Sequence, residues 1–330
     1  MKRYARLPVF ALLTLLSGCY STYILEFDAL KPAKVDVSPA VRSLVVVARC
    51  DLDSTFKSSS ISSGKLAYFQ RDSLMSKQAV LGCSDALVES PRFDLYYPVV
   101  HRTLDGDYTD PDVKIPWDMI RTVSGDPPHD AVLSFEFGSV DDTLKYILKD
   151  GWLNNYQYIV EVKTIWRLYR LNDFQTKDFH FTDTITFDVD FPSEFLSSPD
   201  QAIECLKTAL YDTGVQTARR LAPWWLGFER YYFPYGPGSF APGVKFMKEG
   251  KWLEAAEIWR TCTESKNKNA AAKACFNMSV ACEMANNITA ALEWLKKAEK
   301  LGMHQSYIKE YETKLVSRKA ELEKLDLQMK

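Results

Sequence analysis

The chain lacks a charge imbalance and, after residue 19, any long apolar run. Its 41 Lys and Arg residues against 43 Asp and Glu residues give a formal net charge of −2, so there is no electrostatic reason to expect nucleic acid as a partner. No segment after residue 19 approaches the run of about 18 apolar residues that a membrane-spanning helix requires. We therefore expect a globular mature chain without a transmembrane helix.

Motifs of common catalytic sites are missing as well. The chain has no Gly-rich phosphate loop, no His-Glu-x-x-His pair and no Cys-x-x-Cys, the motifs that hold phosphates and zinc in many enzymes. Its four histidines lack the spacing of metal ligands and are expected to be structural or surface residues: His101, His129, His180 and His304. We therefore expect no catalytic residues, no enzymatic activity and no bound metal.

Two residue clusters are weak candidates for a ligand site. A carboxylate-rich segment, which could hold Ca²⁺, departs from the EF-hand pattern because Asp110 stands where Gly is required and Pro116 where a bidentate Glu belongs. A solvated loop is favoured for this segment, which contains Asp105, Asp107, Asp110 and Asp112. Four tryptophans could form a glycan-stacking platform, although packing in a core or interface is the better interpretation: Trp152, Trp166, Trp224 and Trp225.

The amino terminus indicates where the protein resides. A basic start precedes an apolar stretch from Leu7 to Leu16, which is too short to span a bilayer and is typical of a secretory signal. The sequence Leu16-Ser17-Gly18-Cys19 resembles the lipobox of bacterial lipoproteins. That resemblance implies removal of residues 1–18 and attachment of acyl chains such as palmitate to Cys19, which would anchor the chain to a membrane. An ordinary signal peptide that contains a cysteine is the alternative.

The six cysteines that remain after Cys19 favour buried thiols. An even number in an exported protein permits disulfides. Several of them lie at apolar positions of predicted helices, however, and Cys275 and Cys282 are too far apart along one helix to bond each other. We expect most of the six to be small buried apolar residues.

Residues 41–233 predict an α/β domain that follows a tether at residues 19–40. The pattern alternates strands with helices, which argues for an α/β layer. In the last strand of this series, Leu133, Phe135 and Phe137 are expected on one face. The predicted elements are strand Val41–Cys50, helix Phe69–Glu89, strand Phe93–Val100, helix Ile115–Val123 and strand Ala131–Val140.

An antiparallel hairpin is expected next. Tyr156–Leu171 and Phe179–Phe191 both alternate apolar and polar residues with period two and are joined through Asn172-Asp173, which predicts two strands with one solvated face. Ser198-Pro199-Asp200-Gln201 then predicts a capped helix start. This element order resembles the amino-terminal domain of TolB and the periplasmic domain of the curli-secretion lipoprotein CsgG.

A second resemblance extends over nearly the whole mature chain. Arg219-Arg220-Leu221-Ala222-Pro223 and Glu229-Arg230-Tyr231-Tyr232, followed by helical repeats, resemble a family of Bacteroidota envelope lipoproteins with tetratricopeptide repeats. The resemblance implies an architecture and a location in the cell envelope.

The repeats are expected at residues 240–330, after a Pro/Gly-rich linker. Similar sequence segments begin at Gly250 and Asn286. Their Ala255 and Ala291 are 36 residues apart, which is close to the tetratricopeptide period of about 34 residues. By this resemblance Ala291 lies where two helices pack closely, and Ser306–Leu327 is a terminal cap. The expected fold class is thus a mixed α+β/α-β amino-terminal domain followed by an all-α tetratricopeptide-like domain, with generic helical hairpins as the alternative.

The same resemblance assigns a partner-binding groove. In tetratricopeptide proteins the first helix of each repeat lines the inner surface, and apolar residues beside lysines would suit an amphipathic or acidic-ended peptide. The alternative is that this face is buried against the amino-terminal domain, because two repeats need additional packing for stability. The nine candidates are Phe240, Val244, Met247, Lys248, Lys273, Phe276, Val280, Glu283 and Met284.

Two functions remain open at this level. The first is a non-enzymatic envelope lipoprotein that binds an unidentified envelope protein or assembles as a homo-oligomer. The second is a protein that binds or hydrolyses an envelope polymer, either glycan or peptide. The residues after Cys19 lack the Asp typical of inner-membrane retention. We therefore expect a lipid-anchored protein of the outer membrane that faces the periplasm.

Overall fold

The computed structural model describes residues 22–49, 68–93, 112–149, 153–197, 199–234, 236 and 240–330. The first elements are β1 (Tyr23–Lys31), β2 (Leu44–Ala48), α1 (Tyr68–Val88), α2 (Trp117–Val123), β3 (Ala131–Lys149), β4 (Leu153–Arg170) and β5 (Gln175–Val189). They are followed by α3 (Pro192–Ser197), α4 (Pro199–Leu221), β6 (Trp224–Tyr232), α5 (Phe240–Lys248), α6 (Trp252–Cys262), α7 (Lys268–Met284), α8 (Ile288–Lys300) and α9 (Gln305–Gln328). The amino-terminal region is thus mixed α/β, and the carboxy-terminal region is helical.

The chain divides into two compact units, each built from segments that are distant in sequence. The sheet unit contains Asp28–Leu226 and Glu321–Lys330. The helical unit contains, among the described residues, 22–27 and Gly227–Ala320. Within the tether expected at residues 19–40, Tyr23–Lys31 instead forms strand β1, which pairs with β6 in a two-stranded sheet.

The core of the sheet unit is a four-stranded sheet in the order β2-β3-β4-β5. β2 is parallel to β3, and the other neighbours are antiparallel. Helices α1 and α4 cover one face, where the even-numbered residues of β4 from Tyr158 to Leu168 are buried. Helix α2 packs on the other face, with Ile120 and Val123 in one cluster with Tyr169. The predicted hairpin of β4 and β5 is confirmed, because the two strands pair from Tyr156 to Arg170.

A β-bulge in β3 corrects one predicted face. The register with β4 shifts between Phe135 and Phe137, so Glu136 is the extra residue. Beyond the bulge the alternation reverses, and it is Gly138 that lies against Met75 and Phe135. The simple alternation predicted that Phe137 shares a face with Leu133 and Phe135, and the bulge shows that it does not.

The strand expected at Phe93–Val100 lies almost entirely outside the described residues. The predicted helix cap Ser198 also lies outside them.

The helical unit contains two helical hairpins and a long final helix. Helix α5 packs on α6, α6 on α7 and α7 on α8. Equivalent turns begin at Gly250 and Asn286, which are 36 residues apart and both have a left-handed backbone, with φ of 71° and 57°. Asn287 then caps α8 by accepting a hydrogen bond from the Ala290 backbone N–H at 3.1 Å. The repeated sequence segment thus forms the same turn in both helical hairpins.

Candidate binding site

The groove predicted on the helical unit is not an open surface. Five of its nine residues are buried, namely Phe240, Met247, Phe276, Val280 and Glu283. Three others are partly buried, namely Val244, Lys273 and Met284, and Lys248 alone is exposed. Exposed apolar residues were the reason for predicting a peptide groove there, so the burial of these side chains favours a structural role for this face.

Contacts within the helical unit explain this burial. The Phe276 ring lies 5.2 Å from Phe233 and 5.1 Å from Tyr311, measured between ring centroids. Glu283 accepts two hydrogen bonds from the Arg230 guanidinium, at 2.8 and 2.6 Å, and one from the Tyr311 hydroxyl at 2.7 Å. Burial and the Glu283 charge raise the pKa of Tyr311, which therefore remains a hydrogen-bond donor at neutral pH. These residues form a buried polar clamp that holds β6, α7 and α9 together.

A second buried network lies on the α2 face of the sheet unit. Arg49, which follows β2, pairs with Glu136 at the bulge. Arg167 of β4 lies 3.5 Å from Glu136 and forms a bidentate pair with Asp178 of β5, at 2.5 and 2.9 Å. Tyr169 donates a hydrogen bond to Glu136 at 3.3 Å and accepts one from the Ile115 N–H. Burial raises the pKa of Glu136, and the two arginines oppose that shift. Because these charges compensate one another across three strands and the residue that follows β2, we assign the network a structural role.

An open concavity of the sheet unit lies where β5 leaves the sheet. We name it the acidic hollow; it has a volume of about 490 Å³. The period-two pattern of β5 turns Phe187 and Val189 toward the helix-covered face, and α3 and α4 close the other sides. Phe191 is 67% exposed at its rim, whereas Phe195 is packed 4.9 Å from the Tyr158 ring. The lining residues are Phe187, Asp188, Val189, Asp190, Phe191, Glu194, Phe195, Asp200, Gln201, Glu204 and Cys205.

The hollow is strongly acidic. Two of its five carboxylates have partners: Asp188 accepts a hydrogen bond from Gln157 at 2.9 Å, and Glu204 pairs with Lys207 at 2.6 Å. Among the described residues, no Lys or Arg forms an ion pair with the other three, which are Asp190, Glu194 and Asp200. A concave surface that combines phenyl rings with uncompensated negative charge is complementary to a ligand with apolar and cationic groups.

The one thiol in the hollow is not activated. Burial and the neighbouring Glu204 charge raise the pKa of Cys205, so its thiol is protonated at neutral pH. The other described cysteines are also free thiols, and Cys50 lies outside the described residues. The arrangement can therefore bind a ligand but offers no thiolate nucleophile at this place.

Family comparison separates the same two regions of the sequence. A model described as a domain of unknown function (DUF8603) matches residues 41–233, more than half of the 330-residue chain. The chain belongs to the DUF8603 family. A second model, described as a domain of unknown function (DUF6340), matches residues 242–321. No curated protein and no solved structure matches the chain. In this DUF8603 protein the acidic hollow and the Glu136 network both lie within residues 41–233.

The remaining sequence candidates of this DUF8603 protein are dispersed. In the described part of the chain, no three His, Cys, Asp or Glu residues are grouped as metal ligands. Trp166 is buried in the core, Trp224 lies under the Arg219 guanidinium, and Trp225 is 54% exposed. Cys19, His101, Trp152 and three of the clustered aspartates, Asp105, Asp107 and Asp110, lie outside the described residues. None of the helices in the described part is both long enough and apolar enough to span a bilayer.

Sequence reasoning missed both the network and the hollow. Glu136 is a single charge inside an apolar strand, and Arg49 directly follows another apolar strand. Isolated charges of opposite sign in such positions are the sequence signal of a buried ion pair. The hollow had a weaker signal, the acidic and phenylalanine-rich segment around Asp188–Phe195. Its carboxylates on α4 come from a different element, so only the fold shows that the two groups meet.

Proposed function

We propose that this chain is a lipid-anchored envelope protein that acts as a non-enzymatic protein-interaction or assembly module, with the acidic hollow as its binding site. The observation that carries this proposal is the open, phenylalanine-lined concavity with three carboxylates that have no ion-pair partner among the described residues. Its volume falls in the range of about 300–1,000 Å³ typical of ligand pockets. A space of this size accommodates a few side chains of a partner protein.

The proposal includes tetratricopeptide-like repeats in the helical unit. Gly243 and Ser279 are 36 residues apart, and each lies against the second helix of its hairpin: Gly243 beside Trp259 and Ser279 donating to the Ala291 carbonyl at 2.7 Å. Such close contacts support helical repeats with small residues at the crossing. Since the predicted groove is largely buried, we assign the helical unit a structural part in the module.

Anchoring is proposed from the sequence alone. The resemblance to a lipobox supports lipidation of Cys19, and the residues after it support an outer-membrane location that faces the periplasm. An acyl anchor would keep the binding site close to partners in the same membrane.

Crosslinking in cells, followed by purification of the full chain, tests the proposal. The hollow variant, Phe191→Ser with Glu194→Gln, changes residues at the rim. The matched helical variant, Lys248→Glu with Lys273→Glu, changes the lysines of the predicted groove. We expect a stoichiometric partner protein to be lost from the hollow variant and retained by the helical variant.

The opposite result, with the partner retained only by the hollow variant, would place binding on the helical unit and contradict the proposal. Recovery of a glycan or peptidoglycan fragment in place of a protein would support the alternative function, binding of an envelope polymer. The exposed Trp225 is the observation that favours this alternative.

A further inference from the structure

The outer edge of β5 is an unprotected strand edge. β5 is the last strand of its sheet and pairs with β4 over its full length. Within the described chain, no backbone hydrogen bond joins its other edge to a further segment. A row of backbone donors and acceptors along 15 residues is a template for another strand.

β5 has few of the features that usually block such an edge. Proteins protect edges with proline, lysine, inward-pointing charges, bulges or short strands. β5 contains no proline, has a single lysine, Lys177, near its start, and keeps an unbroken register with β4. Its inward-pointing charge, Asp183, is neutralised by an ion pair with Arg220 of α4. Its outward residues Thr182, Thr184 and Thr186 are small and β-branched, which suits strand pairing.

The carboxy-terminal end of the β5 edge borders the acidic hollow. Phe187, Asp188 and Val189 belong to both the strand and the lining. A strand added beside them would place alternate side chains about 4.5–5.5 Å from its neighbours on the helix-covered face. Those side chains would meet the Phe191 ring and the carboxylates of Asp190 and Glu194.

We propose that an extended segment of a partner protein adds to the β5 edge as a fifth strand and places basic and apolar side chains in the acidic hollow. This inference rests on the proposed function and specifies its ligand. A second copy of the chain is a poorer occupant, because its β5 carries a single lysine, Lys177, and so brings few basic side chains to an acidic site.

Binding of designed peptides to the full chain tests the inference. The probe is a nine-residue peptide of alternating Lys and Val. One comparison peptide has Glu in place of Lys, and another carries N-methyl groups along one backbone edge, which removes the donors needed for strand pairing but keeps the charge. Isothermal titration measures each dissociation constant. We expect the Lys-Val peptide to bind at least about tenfold more tightly than either comparison peptide.

Matched variants locate the binding. In the hollow, Asp190→Asn, Glu194→Gln and Asp200→Asn are combined. The control combines Glu254→Gln, Glu257→Gln and Glu293→Gln, which are exposed residues of the helical unit with the same total charge change. Three weak ion pairs together predict about a tenfold loss of affinity for the hollow variant, with no loss for the control. Equal melting temperatures establish that all three proteins are folded.

Each outcome of these binding experiments either supports or overturns the inference. Equal binding of the N-methylated peptide would overturn strand addition, and equal binding of the Glu peptide would overturn the charge argument. Dimerisation of the full chain that blocks the Lys-Val peptide would replace the partner with a second copy. If no peptide binds while the hollow variant still loses its partner in cells, the inference fails and the proposed function stands; if the partner is also retained, both fail.

Discussion

Asp130 connects the ends of three strands through one carboxylate. Its Oδ2 accepts hydrogen bonds from the backbone N–H groups of Arg42 and Ser43, both at 2.8 Å, and from the Ser43 hydroxyl at 3.1 Å. Asn172, in the β4–β5 turn, donates to Oδ1 at 3.5 Å. Burial alone would raise the pKa of Asp130, but these hydrogen bonds outweigh burial and lower it.

This lowered pKa makes the contribution of Asp130 to stability dependent on pH. The contribution is present above the ordinary pKa of 3.8 and is lost as the pH falls through the lowered value. Asp130→Asn should therefore lower the melting temperature at pH 7 and reduce its drop between pH 4 and pH 2. Asp141→Asn, at an exposed carboxylate, is the control. An unchanged pH profile in the Asp130 variant would show that these hydrogen bonds add no stability.

The buried Glu136 network predicts a larger effect. Glu136→Gln removes the buried carboxylate that pairs with Arg49, which should lower the free energy of unfolding in urea by about 3–5 kcal/mol. Glu161→Gln, which breaks the exposed pair with Lys163 at 2.9 Å, should cost at most about 1 kcal/mol. Similar losses for the two variants would mean that the network is hydrated in solution.

At the scale of elements, helices α1 and α4 cross at two glycines. A Cβ on Gly82 would lie closer than 3.0 Å to the Tyr211 carbonyl, and one on Gly214 would lie equally close to the Ala79 backbone. Because the obstructing atoms are backbone, neither helix can yield by a rotamer change. The crossing therefore depends on the absence of side chains at these two positions.

This crossing predicts that Gly214→Ala will destabilise the protein. Helix propensity alone would make the change stabilising by about 1 kcal/mol. Overpacking against α1 should instead cost about 1–3 kcal/mol or more. A melting temperature that rises would contradict the close crossing, because only the propensity effect would then remain.

The helical hairpins give a corresponding test on the other unit. Ala291 is fully buried, and its carbonyl accepts the Ser279 hydrogen bond from α7. Ala291→Trp should therefore lower stability by about 1–3 kcal/mol or more, since the two helices have no room for an indole. Ala320→Trp, at an exposed position of α9, is the control and should leave the unfolding midpoint unchanged. Equal midpoints for the two variants would contradict the repeat register.

Sequence patterns predicted those elements whose periodicity is local. The sequence alone shows the period of two along β4 and β5. It also shows the 36-residue spacing of the repeated helical segments. Strand β1 was missed because its pairing partner, β6, is about 200 residues away and because Ile24 is exposed while small Ala29 is buried. The acidic hollow could not be predicted for a similar reason, since tertiary packing brings Asp190 and Glu204 together.

At the scale of the whole molecule, the last ten residues of the chain belong to the sheet unit, where they contact the segment that follows Phe27. The side-chain amide of Gln328 accepts a hydrogen bond from the Ala33 N–H at 2.9 Å and donates to the Ala33 carbonyl at 3.1 Å. Glu321 pairs with Lys31 in the same region. The last turns of α9 therefore bind the end of β1 and the segment that follows it. These contacts explain why the sheet unit includes residues that are distant in sequence.

The central claim is that the acidic hollow, rather than the helical unit, contacts a partner protein. Incorporation of a photo-crosslinking residue at Phe191 tests it most directly, with Val316 as a similarly exposed apolar control in the helical unit. Irradiation of living cells should give one discrete polypeptide adduct from position 191 and none from position 316. An adduct from position 316 alone, or none from either position, would contradict the claim.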